Sequence, residues 1–286
     1  MKIEKVGLFG KFNDSSVSET LDAVRKIIEQ QGLSVLIAET TAPSVQGPRI
    51  DTSQPVEEQI DLGIVVGGDG TMLNAARMLA EHDLPAIGVN LGRLGFLTDI
   101  TVDDFDTALQ SIRQGRYRKE LRTLLRTTVL RDGETVYTGV SLNDAVISKG
   151  NSGRLIEFET RVNGQFVSHT RSDGVIVATP TGSTAYSLSA GGPIIYPNLS
   201  VFSMAPICPH TLSNRPIVLD EDAVIEISEL YCPEVHANLV LDGVLTCELN
   251  GTETVRLEKS LKKLCLIRIE SHNHFETLHD KLGWNG

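Results

Sequence analysis

The pattern of apolar runs changes character part-way along this 286-residue chain, and that change restricts its fold more than any other feature. Ile3 to Phe9 reads as a strand, Val17 to Gln31 as a helix stopping at Gly32, and Leu33 to Ala38 as a second strand. After a connection carrying Pro43, Gly47, Pro48 and Pro55, the pattern returns as strand 62–66, helix 72–81 and strand Pro85 to Val89. Two such units in succession call for a parallel sheet with helices on its faces.

Beyond about residue 120 the helical period gives way to two-residue turn signals, Asp132-Gly133, Asn163-Gly164, Asp242-Gly243 and Asn250-Gly251, between apolar or β-branched flanks. Val129-Leu130 with Val136-Tyr137, Phe158 to Val162 with Phe166-Val167, and Leu239 to Leu241 with Leu245 to Leu249 read as paired strands. The expected fold class is α/β plus all-β. An N-terminal parallel-sheet, Rossmann-like domain takes residues 1–100, and a β-rich domain, a sandwich or layered sheets, takes 101–266. Asp103 to Gln114 reads as a helix bridging the halves, and Arg116 to Arg126 as a solvated or interdomain face.

Twenty-six Lys and Arg against 37 Asp and Glu leave a formal charge of −11, which argues against nucleic acid or an anionic membrane as partner. Cys208, Cys232, Cys247 and Cys265 form no CxxC pair and show no zinc-like spacing. Met1 to Lys5 runs into a strand pattern without an apolar signal segment, and no apolar stretch approaches the ~20 residues that span a bilayer. A reduced, cytoplasmic protein is expected.

Chemistry concentrates in two segments. Gly67-Gly68-Asp69-Gly70-Thr71 follows the apolar run 62–66 and precedes a helix, so a carboxylate sits on a glycine turn where the backbone can approach a nucleotide and a helix presents its N-terminal N–H groups. Aspartate is also an ordinary helix N-cap, so the turn alone does not separate function from structure. Thr179 to Pro193 is a long run of small, hydroxyl and glycine residues around one aromatic, Tyr186, and makes a poor core. No GxxxxGK[ST] P-loop, GxGxxG fingerprint, HRD or DFG motif, or GxSxG elbow is present.

Together these segments resemble the bacterial NAD kinases, which phosphorylate the adenosine 2′-hydroxyl of NAD with ATP. Gly67 to Thr71 is similar to that family's GGDGT, Gly88 to Asp99 to its GVNxGxLGFLTD segment, Asn143-Asp144 to its Asn-Asp/Glu motif, and Thr179 to Pro193 to its TPTGSTAYSLSAGGP stretch. Arg171 to Gly174, Pro209 to Pro216 and Lys281 to Trp284 extend the likeness over nearly the whole chain. Lipid and sugar kinases share the GGDG turn but not the Thr179 segment. A non-catalytic NAD(H) sensor is the other reading, and the intact Asp69 speaks against it.

The resemblance implies that Asp69 is catalytic, orienting the 2′-hydroxyl early and taking its proton late, with Gly70 beside it at the substrate. It places Asn143, Asp144, Thr181, Thr184, Ala185, Tyr186, Ser187, Leu188 and Ser189 around the base and ribose. Arg154 and Arg171 fall near the phosphates or product, and Asp173 near the nicotinamide half. A divalent metal, magnesium, would arrive with ATP, held largely by phosphates and water. A homodimer or homotetramer formed through the β-rich domain is implied, with the tail 267–286 packing back on the first domain. One departure is Val244, where many relatives carry a ligand-contacting glutamine after Asp-Gly. Phe96 reads as core, and His272-x-His274 as a solvated strand end in preference to a metal site.

Overall fold

The computed structural model describes residues 2–11, 17–41, 45–92, 94–150, 153–231, 236–269 and 273–284, the side chain of Glu229 aside. The chain forms two compact units, Met1–Leu121 with Leu264–Gly286, and Arg122–Lys263.

In the first unit β1 (Lys5–Phe9), α1 (Ser18–Gln30), β2 (Ser34–Ile37), β3 (Leu62–Val66), α2 (Asp69–Glu81) and β4 (Pro85–Asn90) follow one another, and the strands lie parallel in the order β2-β1-β3-β4. On the free edge of β4, β5 (Ile100–Thr101) pairs with its C-terminal half, and the end of the strand Glu253–Arg268 pairs with its start, Cys265 opposite Pro85. The strands are buried on both faces, so they read as continuous apolar runs. Leu21, Val24 and Ile28 of α1 share a core with Phe105, Ala108, Leu109 and Ile112 of α3 (Phe105–Arg113) and with Leu8, Ile64 and Val89. The helix expected to bridge the halves is thus an element of this unit's own core. α2 begins at Asp69, three residues before the periodicity suggests, because Gly68 takes the N-cap position.

The second unit is built from antiparallel strands. They are β6 (Arg118–Arg131), β7 (Glu134–Ser141), β8 (Asp144–Ser148), β9 (Ile156–Val162), β10 (Gln165–Ser172), β11 (Gly174–Ala178), β12 (Val201–Ile207), β13 (Ile217–Asp220), β14 (Ile225–Tyr231), β15 (Ala237–Leu241), β16 (Val244–Leu249) and β17 (Glu253–Arg268). One sheet runs β13-β12-β11-β8-β15-β16. The other contains β10-β9-β14-β17, with the β6–β7 hairpin joined through β6 to β17. Alternate side chains from both, among them Phe158, Ile227 and Val255 against Ile147, Val177 and Leu239, make the core between them. On the outer face of the six-stranded sheet Val146, Ile176 and Ala178 pack against Ala190, beside the short helix α4 (Tyr186–Ser189).

Three of the turn signals close hairpins with both residues at positive φ: Asp132 and Gly133 (52° and 82°), Asn163 and Gly164 (51° and 75°), and Asp242 and Gly243 (51° and 77°). Asn250-Gly251 does not, because β16 and β17 belong to different sheets. There the Glu253 carboxylate accepts the N–H groups of Asn250 and Gly251 at 2.8 and 3.0 Å, and the turn carries the chain between layers. The basic stretch read as a surface is mostly strand β6, and within it Arg122 is buried, its Nη1 3.4 Å from the Thr181 hydroxyl. Among the described residues no helix is long and apolar enough to cross a membrane, and Cys208, Cys247 and Cys265 are free thiols.

Candidate active site

β3 ends at the glycine turn, and Asp69 becomes the first residue of α2. Its carboxylate does not cap the helix. It reaches instead to the loop after β4, where Oδ2 accepts the Phe96 N–H at 2.9 Å and Oδ1 accepts those of Leu97 and Thr98 at 2.9 and 3.3 Å, with the Thr98 hydroxyl also at 3.3 Å. This loop approaches so closely that a Cβ on Gly95 would lie 2.0 Å from Asp69 Oδ1. Buried Asn90 fixes the loop from β4, donating to Thr98 Oγ1 at 3.0 Å and accepting the Gly92 N–H at 2.6 Å. Gly68 and Gly70 are exposed, leaving the start of α2 open to an anion. Phe96, expected in the core, is only half-buried, its ring 6.2 Å from that of His274.

A second carboxylate organises the other unit. Asp242, at the β15–β16 turn, accepts the N–H of Leu142 at 2.9 Å on Oδ2 and those of Asn143 and Asp144 at 2.7 and 3.3 Å on Oδ1. The carbonyls of the same segment are met by Thr179, whose hydroxyl donates to Leu142 O at 2.5 Å and whose N–H donates to Asn143 O at 2.9 Å. Gly182 crosses over this segment, and a Cβ there would sit 2.1 Å from Asn143 O. The Asn143-Asp144 pair and the start of the Thr179 segment are therefore one assembly. Asp144 is 4% exposed, and burial, reinforced by the charge of Asp242, pushes its carboxyl up to about 7.

The rest of the hydroxyl-rich segment divides between wall and support. Thr181 is buried, Thr184, Ala185 and Leu188 are half-buried, and Tyr186 and Ser189 are exposed. Ser187 is fully buried, its hydroxyl 3.4 Å from that of Ser203, and Ser183 holds Pro180 O and the Ile195 N–H. Asp173 pairs with Lys149 at 2.7 Å, Arg171 with Glu157 at 3.4 Å, and Arg154 is exposed. Val244, the first residue of β16, is half exposed. His274 opens α5 (His274–Leu282), a helix start where a strand end was expected, while His272 lies outside the described residues. Among the described residues no group of three or more His, Cys, Asp or Glu is placed to hold a metal ion.

A family profile for the ATP-NAD kinase N-terminal domain matches residues 6–117, and one for the C-terminal domain matches residues 142–269. The chain belongs to the NAD kinase family. It is 44% identical to an NAD kinase of Azoarcus sp. (strain BH72) over 98% of this chain and 96% of that one, and 41% identical to one from Nitrosomonas europaea over 98% and 95%. Among solved structures, yeast NADH kinase complexed with NADH is similar at a TM-score of 0.87 and 26% identity, covering 100% of this chain and 89% of that one. An Archaeoglobus fulgidus NAD kinase in complex with ATP is similar at 0.72 and 26%, covering 98% of each.

An NAD kinase moves a phosphoryl group from ATP to NAD, giving NADP and ADP, and its substrates are those two nucleotides. Such a transfer needs little covalent chemistry from the protein, so position and charge carry the work, with a divalent cation accompanying ATP. Two residues that organise this kinase escape a reading by motif. Asp242 looks like turn chemistry alone, because Asp-Gly is a hairpin signal whatever its carboxylate holds. Arg268 is 1% exposed and donates to Phe96 O at 2.7 Å; its signal is a lone cation inside the apolar run Leu264 to Ile269, a pattern that demands buried partners.

Proposed function

We propose that Asp69 is the catalytic group of this NAD kinase, accepting the proton of the adenosine 2′-hydroxyl as that oxygen takes the phosphoryl group. The observation that carries the proposal is the asymmetry of its carboxylate. Oδ1 accepts three hydrogen bonds, whereas Oδ2 accepts only the Phe96 N–H among the described residues, leaving a fixed oxygen with capacity for one more donor. Gly70, Asn143, Asp144, Arg154, Arg171, Asp173, Thr181 and the segment Thr184 to Ser189 serve NAD, with Ser187 acting through packing. The domain division carries the same roles: the α/β domain bears the GGDG turn, and the β-rich domain binds NAD and assembles the oligomer.

Magnesium is the divalent cation, carried on the phosphates of ATP. The oligomer is a homodimer or homotetramer, supported by exposed Phe166 and Val167 on edge strand β10 and Val218 on edge strand β13. The free thiols Cys208, Cys247 and Cys265 suit a reduced, cytoplasmic setting. Asp69→Asn tests the central role: it should retain NAD binding and lose most turnover in a coupled assay of NADP formation. Near-normal turnover removes Asp69 from the chemistry.

A further inference from the structure

Arg268 stands at the end of β17, buried among groups of the first unit. Its Nη2 donates to Phe96 O at 2.7 Å and its Nη1 to Leu97 O at 3.4 Å. Nη1 also lies 2.6 Å from Asp99 Oδ1, and Nε lies 3.4 Å from Glu120 Oε2. The two carbonyls belong to the same peptide groups whose N–H ends, on Leu97 and Thr98, point at the Asp69 carboxylate. Each peptide is thus strung between an anion at one end and a cation at the other, in the orientation that polarises it most favourably. Buried Asp99 and largely buried Glu120 supply its counter-charges, but they do not account for the aim of its fork at two loop carbonyls, and burying a cation is expensive unless its partners are fixed.

We infer that Arg268 is a positioning residue for phosphoryl transfer, acting on Asp69 through the Phe96–Leu97 and Leu97–Thr98 peptide groups. The inference rests on the proposed role of Asp69. A guanidinium suits the task because its planar fork addresses two carbonyls in a fixed geometry, which the rotatable donors of an ammonium on a flexible stem do not impose. Asp99 and Glu120 hold the fork from behind, so the loop can neither rotate its carbonyls nor let the carboxylate drift. Displacement by a fraction of an ångström is enough to affect an in-line transfer.

The test is steady-state kinetics of Arg268→Lys, with kcat counted per folded molecule and Asp69→Asn assayed beside it. Arg268→Lys keeps the buried charge but not the fork, and kcat is expected to fall about tenfold while KM for NAD and ATP stays within about twofold. A loss that tracks only the folded fraction, or a kcat within about twofold of the parent, overturns the inference. If Arg268→Lys does not fold, Glu120→Gln carries the test: it loosens the far side of the guanidinium, leaves Asp99 in place, and is expected to lower kcat with KM unchanged. An unchanged kcat in that variant overturns the inference equally. If Asp69→Asn keeps its turnover, the reading beneath has failed; if only the Arg268 and Glu120 variants do, the inference alone has.

Discussion

Asp69 in the first unit and Asp242 in the second do the same thing with their carboxylates: each gathers three consecutive backbone N–H groups from a distant loop, residues 96–98 in one case and 142–144 in the other. They differ in what stands behind the peptides. The carbonyls in front of Asp69 are met by the buried cation Arg268, those in front of Asp242 by the neutral N–H and hydroxyl of Thr179. One anion is balanced by a guanidinium. The other has a second acid, Asp144, beside it, and burial of Asp144, reinforced by the charge of Asp242, raises the affinity of Asp144 for its proton. The first arrangement keeps a carboxylate fixed yet accessible, and the second trades accessibility for a rigid wall.

The comparison breaks most visibly at the two glycines that allow the close approaches. A methyl on Gly182 would meet the Asn143 carbonyl at 2.1 Å, backbone against backbone, with nothing able to turn aside. Gly182→Ala is expected to cost about 4 kcal/mol or more, enough to unfold the second unit at ordinary temperature, as read by thermal denaturation. A methyl on Gly95 would meet side-chain oxygens of Asp69 and Thr98, at 2.0 and 2.7 Å, which can give way without moving backbone but only by surrendering their bonds to one another and to the loop. Gly95→Ala is therefore expected to fold, with turnover lost and a smaller loss of stability than in Gly182→Ala. If the two variants lose stability equally, the second carboxylate is no more a structural joint than the first.

Next in size is a pH effect confined to the second unit. The Asp144 carboxyl moves from 3.8 to about 7 on folding, so the unfolded chain releases this proton first. The contribution of the protonated form is complete below about pH 4 and is lost as pH rises through 7, a change of about 4 kcal/mol at most. Asp144→Asn removes that slope. Between pH 5 and pH 8 the parent's Tm should fall by on the order of 5–10 °C more than the variant's. Parallel curves would mean that the proton is held equally in both states.

Much of this was legible in the sequence, for reasons that particular residues make plain. The strand Leu62–Val66 and the hairpins at Asp132-Gly133, Asn163-Gly164 and Asp242-Gly243 follow from local periodicity and turn chemistry, which need no knowledge of distant residues. Asn250-Gly251 carries the same turn signal and yet joins different sheets, because Glu253, buried and paired with Arg131, decides where the chain goes. The GGDG turn announced a carboxylate, but not that its partners lie 27 to 29 residues further on. Arg268 and Asp242 stayed hidden for the same reason: their importance consists of contacts 171 and 172, or 98 to 100, residues away along the chain.

The smallest expected effect tests whether the Asp242 turn touches substrate as well as holding residues 142–144. Val244 is half exposed at the head of β16, two residues beyond Asp242, the position at which the family resemblance implies a ligand-contacting glutamine. A valine side chain there offers neither donor nor acceptor, and a glutamine would add one hydrogen bond at a partly solvated position. Such a bond contributes only about 0.5–1 kcal/mol net, which corresponds to roughly a two- to fivefold change in affinity. Val244→Gln is accordingly expected to lower the dissociation constant for NAD by about that factor, read by calorimetry, with kcat unchanged and stability within about 0.5 kcal/mol of the parent. If affinity does not move, the turn serves the wall alone, and the contrast with Asp69, whose carboxylate holds a loop and in the proposed role also takes the substrate proton, becomes sharper still.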